Sequence, residues 1–289
     1  MGGNGAALEP MRGGFTKRRD RPVTTLGEIR DMKRRRLLAT PLLLSPALLH
    51  AQANGDAPRR RYAVISLVGD KMYVVVYQTQ TGTTLDANRR ESVSLGDSYF
   101  DAAALLAAEA AVGKAEPGAA VALLRARSAS LYEMQDKLIE GSKLVVPDEL
   151  ADALQESRAT HLILFTKYRT EARLRELHGT TGAGKLEGLG YYVDPVLHMR
   201  RSDTGEHGIG FLAPYVYIKA ALIDLASLKL LDEVAITAST TLSAARNKHG
   251  TDPWTTLSST EKLEHLRSML TREIERVVPA LVAAGNERH

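Results

Sequence analysis

The chain has 289 residues, with 38 Lys or Arg against 34 Asp or Glu, and it contains no cysteine. Ten of the basic and four of the acidic side chains lie in residues 1–53, which leaves 28 against 30 in residues 54–289. That slight acidic excess excludes the basic surface expected of a nucleic-acid-binding protein. Without cysteine the chain can form no disulfide and carries no lipid-bearing cysteine.

Residues 32–53 have the three parts of a secretory signal peptide. The basic segment Met32–Arg36 precedes a mostly apolar run, Leu37–Leu49, and then the small residues of a cleavage site, Ala51 and Ala53. The run spans 13 residues and contains two prolines, whereas a membrane-spanning helix needs about 20 apolar residues. We therefore expect cleavage after Ala53, export to the periplasm or beyond, and no permanent membrane anchor.

Residues 1–31 show neither hydrophobic periodicity nor a core-forming run. They are expected to be a disordered leader or to precede the true start of translation at Met32. The segment Arg34–Leu38 resembles a twin-arginine export signal, and a basic segment for the general secretion route explains the same residues equally well. The sequence leaves the export route and the oligomeric state open.

The first elements expected after the signal peptide are two β-branched strands, Tyr62–Val68 and Met72–Tyr77, joined as a hairpin by the turn Gly69–Lys71. An alanine-rich helix is expected over 98–112, and a short buried strand over 119–124. This part of the chain is therefore predicted to contain both strands and helices.

Three further patterns lie between residues 147 and 239. Pro147, followed by two acids, opens a helix, because proline fits the first turn and acids favour the helix amino terminus. The continuous apolar run His161–Phe165 is typical of a strand covered on both faces. Tyr215–Leu225 and Lys229–Ser239 are predicted to form a second hairpin.

The segment 178–210 is predicted to be a long loop within the domain, and loops of this length are usually functional or disordered. It contains Leu189, Tyr191, Tyr192 and Asp194, so apolar and aromatic side chains occur inside polar sequence. Such side chains are expected either to contact a partner or to pack back against the protein's own sheet.

The carboxyl-terminal segment has the clearest helix pattern. Ser258 and Glu261 form a capping box, and apolar residues then recur at three- and four-residue spacing, which predicts an amphipathic helix over 258–283. Together the patterns predict the α/β class, with an α+β mixed sheet in two or three layers, flanking helices and β-hairpins. Residues 54–289 are expected to form a single domain.

Three motifs approach known sites, and each lacks a residue that its chemistry needs. Gly179–Leu186 has leucine where a phosphate-binding loop has the hydroxyl that binds Mg²⁺. Gly96–Ser98 resembles the nucleophile block of GDSL-type esterases, but no matching base follows it, so capping of a helix explains it as well. Compact metal-ligand spacing is absent from the candidate ligands His178, Asp194, His198, Glu206, His207 and His249.

The order of elements resembles the α/β domain of cell-envelope accessory proteins, of the curli-secretion lipoprotein type and of the TolB amino-terminal type. The likeness rests on Ser157–Thr160 before an apolar strand and on the hairpin pattern Ile223–Leu230, and it covers residues 60–240. The chain departs from these proteins by lacking the lipoprotein cysteine and by its longer 178–210 segment. The resemblance implies an α/β fold in an envelope accessory protein, and fold likeness alone does not assign function.

The expected function is an exported, non-enzymatic binding or accessory module that contacts an envelope protein or component, without a cofactor or a metal. The alternative is a periplasmic hydrolase with its active site in the 178–210 loop, built from residues such as Asp194, His198 and His207. The hydrolase would require these side chains to converge in a pocket within hydrogen-bond reach of a nucleophile or metal.

Overall fold

The computed structural model describes residues 60–79, 87–95, 98–176, 179–200, 205, 207–243 and 252–287. Contacts divide the chain into two units, Met1–Ala53 and Asn54–His289, and every described residue belongs to the second unit. The predicted leader, the signal peptide and its cleavage residues Ala51 and Ala53 lie outside the described residues. None of the described helices is long and apolar enough to span a membrane.

The described chain mixes strands and helices and has a long run of consecutive strands before its last helix. The helices are α1 (Tyr99–Ala115), α2 (Ala129–Glu133), α3 (Asp148–Ser157) and α4 (Ser259–Glu287). The strands are β1 (Arg61–Ser66), β2 (Lys71–Val76), β3 (Arg89–Ser94), β4 (Ala120–Leu124), β5 (Ile139–Glu140), β6 (Lys143–Leu144), β7 (His161–Lys167), β8 (Arg169–Glu171), β9 (Leu174–Glu176), β10 (Gly179–Thr181), β11 (Lys185–Arg200), β12 (His207–Asp224), β13 (Lys229–Ser239) and β14 (Leu242–Ser243).

The long strand β12 organises the sheet because its two halves pair with different strands. Residues 218–224 pair with β7, which continues through parallel pairs to β1 and β4. The amino-terminal half pairs with β11, which pairs in parallel with β2, and β2 pairs in turn with β3. Strand β13 follows the other edge of β12. The predicted mixed sheet is confirmed, and it consists of two strand blocks that meet along β12.

The hairpin predicted between β1 and β2 is wrong, although both strands are present. Strand β1 pairs with β4 and β7, whereas β2 pairs with β3 and β11. The chain bends between them because the Asp101 carboxylate accepts hydrogen bonds from the amides of Val68 and Gly69, at 3.1 Å each. A Cβ atom on Gly69 would lie 2.8 Å from the Asp101 backbone nitrogen, so glycine is required at this bend.

The long loop predicted over 178–210 is wrong for most of its length, because the segment forms β10, β11 and the start of β12. Strand β11 is paired along both edges, by β12 and by β2. Both faces of β11 are covered as well, since Tyr191 lies in the core shared with α1 and α4 and Tyr192 in the core beside β9. A strand covered on both faces shows no regular alternation of polar and apolar residues. Gly188, Gly190 and a bulge between Asp194 and His198 interrupt the pattern further.

The carboxyl-terminal amphipathic helix is confirmed as α4. Its capping box forms as predicted, with the Ser258 amide donating to the Glu261 carboxylate at 2.8 Å. Helices α1 and α4 pack together on one face of the sheet and share its main apolar core. The α4 side chains that enter this core are Leu266, Met269, Leu270, Ile274, Val277, Val278, Leu281 and Val282.

The opposite face of the sheet is covered in two parts. Helices α2 and α3 cover β1 and β7, with Leu131, Leu150 and Leu154 buried beneath them. The β9–β10 pair and its flanking residues cover the block around β11, where the core is rich in tyrosine. The sheet therefore lies between two outer layers.

We expect the protein to lose stability above about pH 10. Burial, with a hydrogen bond to Glu116, raises the pKa of Tyr62 to about 12, and burial also raises the pKa values of Tyr191, Tyr192 and Tyr215. Because these pKa values are higher in the folded chain, the unfolded chain ionises first. The stabilisation is complete below the unfolded pKa and is lost as pH rises towards the folded values.

Urea unfolding between pH 8 and 11, followed with phenolate absorbance, measures this effect. Phenolate formation should be delayed in the folded protein and should accompany unfolding. Complete tyrosine ionisation at an ordinary pKa, with unchanged stability, would contradict the buried tyrosine cluster.

Candidate binding groove

A groove of about 690 Å³ lies beside the carboxyl-terminal end of β4, at Leu123 and Leu124, between helices α1 and α3. Among the described strands β4 pairs only with β1, so its other edge is open to pairing beside the groove. Apolar side chains line the part of the groove nearest the sheet, namely Ile65, Leu123, Leu124 and Leu131. The helices of both outer layers thus flank an edge strand.

The exposed edge of β4 is unusual in its composition. Edge strands are commonly protected against further pairing by charged residues, proline or bulges. The sequence of Ala120–Leu124 contains only Ala, Val and Leu, and its residues are half-buried or exposed, whereas the adjacent strand β1 is buried over Tyr62–Ser66. The outer edge of β4 therefore keeps backbone groups that another extended chain could pair with.

Helix α1 contributes an apolar wall to the groove. Ala102, Leu105 and Leu106 line it, and Leu106 is 60% exposed, the highest value among the large apolar side chains of the described residues. A single exposed leucine is common on protein surfaces, but this one borders an apolar groove. Its position is typical of a contact surface.

Helix α3 contributes an acidic wall. Glu149, Asp152 and Glu156 line the groove at three- and four-residue spacing, while Leu150 and Leu154 are buried. The Ser130 hydroxyl donates to Glu149 at 2.8 Å, whereas within the described ranges no ion pair involves Asp152 or Glu156. Glu156 lies in the last turn, where the helix dipole disfavours an acid. Helix stability therefore does not explain the full acidic row.

Two arginines border the end of the groove where the chain leaves β4. Arg125 and Arg127 are exposed, and both line the groove. Neither forms an ion pair with a described residue. The groove is therefore acidic along α3 and basic at this end.

Asp101 joins the α1 wall to β1 and to α2 beneath the groove. Its carboxylate accepts hydrogen bonds from the Ser66 hydroxyl at 2.6 Å and from the Tyr132 hydroxyl at 2.7 Å, as well as from the two amides at the bend after β1. Asp101 is 4% exposed, and its burial raises the pKa of the carboxyl group, although the four donors act in the opposite direction. These bonds link α1, β1 and α2, so Asp101 has a structural role.

The residues predicted to contact a partner are buried instead. Leu189, Tyr191 and Tyr192 are fully buried in β11, and Asp194 is 7% exposed. Tyr191 donates its hydroxyl to the Lys262 carbonyl at 2.7 Å, and Tyr192 stacks on a neighbouring strand's phenylalanine. Their interpretation as a contact surface is corrected, because both faces of this part of the sheet are covered. They pack within the protein's own core.

The candidate hydrolase residues are only partly brought together. Asp194 and His198 line a cavity of about 430 Å³, and His207 is not among its lining residues. The Asp194 carboxylate accepts from the amides of Val196 and Leu197, at 2.9 Å each, and so stabilises the bulge in β11. No hydrogen bond joins Asp194 to His198 among the described contacts, so the base lacks the orienting partner that a hydrolase needs.

The other sequence motifs do not form sites in the described part of the chain. The segment Gly179–Leu186 leads from β10 into β11, whereas a phosphate-binding loop leads into a helix amino terminus. No cluster of three or more metal-binding side chains occurs within the ranges described above. Of the candidate metal ligands, His178, Glu206 and His249 lie outside the described residues.

No family model matches the chain, and no curated protein matches it. Solved structures with some similarity include a protein of the DUF330 family from Xanthomonas campestris, at 8% identity and a TM-score of 0.36, with 79% of this chain and 87% of the other covered. A hypothetical protein from Chlamydia trachomatis has 12% identity and a TM-score of 0.32, with 78% and 99% covered.

A third solved structure comes from Helicobacter pylori and is described as a homolog of a neuraminyllactose-binding hemagglutinin. It has 8% identity and a TM-score of 0.30, with 77% of this chain and 89% of the other covered. Identities and TM-scores at this level assign neither a family nor a function. The functional interpretation therefore depends on the groove itself.

Proposed function

We propose that this protein is an exported, non-enzymatic binding module of the cell envelope, and that it holds a segment of a partner protein in the groove along β4. The single observation that carries the proposal is the open, uncharged edge of β4 between two helical walls. Export is supported by the signal-peptide pattern of residues 32–53.

The groove has the properties of a polypeptide-binding surface. An exposed sheet edge provides main-chain hydrogen bonds to an extended segment, and adjacent pockets provide selectivity for its side chains. Here the α1 wall is apolar and the α3 wall is acidic, so the two walls select different side chains. Asp101 fixes the α1 wall relative to β1 and α2, which reduces the ordering needed when a segment binds.

Photo-crosslinking tests the groove as the binding surface. A photo-reactive amino acid in place of Leu106 should crosslink an envelope polypeptide in intact cells, and mass spectrometry should map the link to one segment of it. The matched control is the same amino acid in place of Val93, which is 44% exposed on the edge strand β3. Equal products from both positions, or no product from Leu106, would argue against the groove.

Export is tested separately, because the localisation of the protein does not depend on the groove. Sequencing the amino terminus of the protein from a cell fraction outside the cytoplasm should give Asn54. A Leu44→Arg variant places a charge in the apolar run and should remain uncleaved in the cytoplasm. Intact Met1 on cytoplasmic protein of the unaltered sequence would overturn the proposed localisation.

A further inference from the structure

We infer that the segment bound in the groove adds to β4 as a further strand, with alternate apolar and basic side chains. This inference rests on the proposed binding function and names the chemistry of the ligand. Its apolar side chains face α1 and its basic side chains face α3. The segment carries an acidic residue at the end beside Arg125 and Arg127.

The backbone of β4 determines the conformation of the ligand. A strand of five residues, such as Ala120–Leu124, is about 17 Å long, and a paired strand would lie about 4.8 Å from it. An extended segment of similar length can then satisfy the outward backbone groups of β4. A helix placed in the groove would leave those groups unpaired, so the groove favours a strand.

The two walls determine the side-chain pattern of the ligand. Successive side chains of a strand point to opposite faces of the sheet. One face of the sheet carries α1, with Leu105 and Leu106 at the groove, and the other carries α3, with Asp152 and Glu156. A strand added to β4 would therefore present every second side chain to apolar residues and the intervening ones to carboxylates.

Charge distinguishes this ligand from a second copy of the chain paired through its own β4. Ala120–Leu124 contains no charged residue, so a β4–β4 dimer would bring cations only from beyond the strand's end, at Arg125 and Arg127, and none within the paired strand. A basic segment supplies the cation that both carboxylates lack among the described residues. The arginines at the end of β4 favour an acid there for the same reason.

Synthetic peptides test the side-chain pattern. Three nine-residue peptides serve as probes. The first alternates lysine and valine, the second has the same composition with the lysines grouped, and the third alternates glutamate and valine. Fluorescence anisotropy measures the binding of each peptide to the purified protein. The alternating lysine peptide should bind at least about tenfold more tightly than either of the others. A glutamate added to one end should tighten its binding.

Matched variants of the protein test the acidic wall. The double change Asp152→Asn and Glu156→Gln should weaken binding of the alternating lysine peptide about tenfold. The control is Asp148→Asn with Glu140→Gln, which removes the same charge from exposed positions outside the groove lining and should leave binding unchanged. Equal loss in both double variants would indicate general electrostatic attraction and would contradict the inference.

Backbone methylation tests strand addition itself. Two versions of the alternating lysine peptide are made, one N-methylated at the odd-numbered residues and one at the even-numbered residues. One version should lose binding and the other should keep it, because only one set of amides faces β4. Equal binding of the two methylated peptides, or equal binding of the grouped peptide, would overturn the inference. If no peptide binds while Leu106 still crosslinks a partner segment, the ligand chemistry fails and the binding function stands. A Leu106 crosslink to a second copy of this chain would contradict both proposals.

Discussion

Replacing Asp101 by alanine should lower the free energy of unfolding by about 3 to 5 kcal/mol. The carboxylate accepts four hydrogen bonds in a buried site, from the side chains of Ser66 and Tyr132 and from the amides of Val68 and Gly69. Alanine would leave these donors buried without an acceptor. The loss is large because buried unpaired donors keep their full desolvation penalty.

Urea unfolding at pH 7 measures this loss, and two variants control for it. Asp101→Asn keeps an acceptor oxygen and should be less destabilising than alanine. Asp152→Ala removes an exposed carboxylate and should change stability by less than about 0.5 kcal/mol. An Asp101→Ala protein within about 1 kcal/mol of the original would contradict the anchoring role given to Asp101.

The pH dependence of the Asp101 variants has a defined direction. Burial raises the pKa of Asp101 above its unfolded value, so the folded chain takes up a proton at this carboxyl group more readily than the unfolded chain does. Its contribution to stability is therefore greatest below the unfolded pKa and is lost as pH rises through the folded pKa. Relative to Asp101→Asn, the original protein should gain stability as pH falls from 7 towards 4.

Gly190→Ala should lower the free energy of unfolding by about 3 kcal/mol, the second large effect we expect. A Cβ atom at this position would lie 2.1 Å from the Tyr73 carbonyl oxygen and 2.7 Å from the Tyr215 hydroxyl. Tyr73 is the register partner of Gly190 in the β2–β11 pair. The added methyl group would force these strands apart, because a backbone carbonyl cannot turn away as a flexible side chain can.

Gly113→Ala is the matched control for Gly190→Ala. Gly113 lies in α1, and a Cβ atom there would meet nothing within 4 Å beyond its chain neighbours and the backbone of its own helix. Alanine is the better helix former, so this change should raise stability by about 0.5 to 1 kcal/mol. Thermal unfolding of both variants measures the contrast. Equal effects at the two positions would contradict the close approach of β2 and β11 at Gly190.

Elements with strong local signals could be predicted from the sequence. The capping box of Ser258 and Glu261 determined the start of α4, and the apolar run His161–Phe165 became the buried strand β7. In both cases the information lies within a few consecutive residues. Hydrophobic periodicity and capping are local effects, so they need no knowledge of distant contacts.

Features that depend on distant partners could not be predicted in this way. The turn after β1 has the composition of a hairpin turn. However, its amides donate hydrogen bonds to Asp101, which lies more than 30 residues further along the chain. Tyr191 and Tyr192 lie in a segment that was expected to be a loop, and only the covering of both sheet faces explains their burial. Composition within a short window does not report either contact.

The groove depends on strand order, which is also a long-range property. The segment 119–124 was expected to be a buried strand, and in the structure Ala120–Leu124 is the half-exposed edge strand β4. The sequence features that indicate the groove are the uncharged strand and, further along the chain, the acidic residues of α3, Glu149, Asp152 and Glu156. Those residues acquire a shared role only when α1 and α3 flank β4.

Hydrogen exchange at β4 tests the central claim most directly, namely that an extended segment binds at this edge. The purified protein is compared with and without a saturating amount of the alternating lysine–valine peptide. Protection should increase in Ala120–Leu124, while Arg89–Ser94, another edge strand, should keep its exchange rate. Unchanged exchange in β4 at saturation, or equal protection of the two strands, would contradict the account.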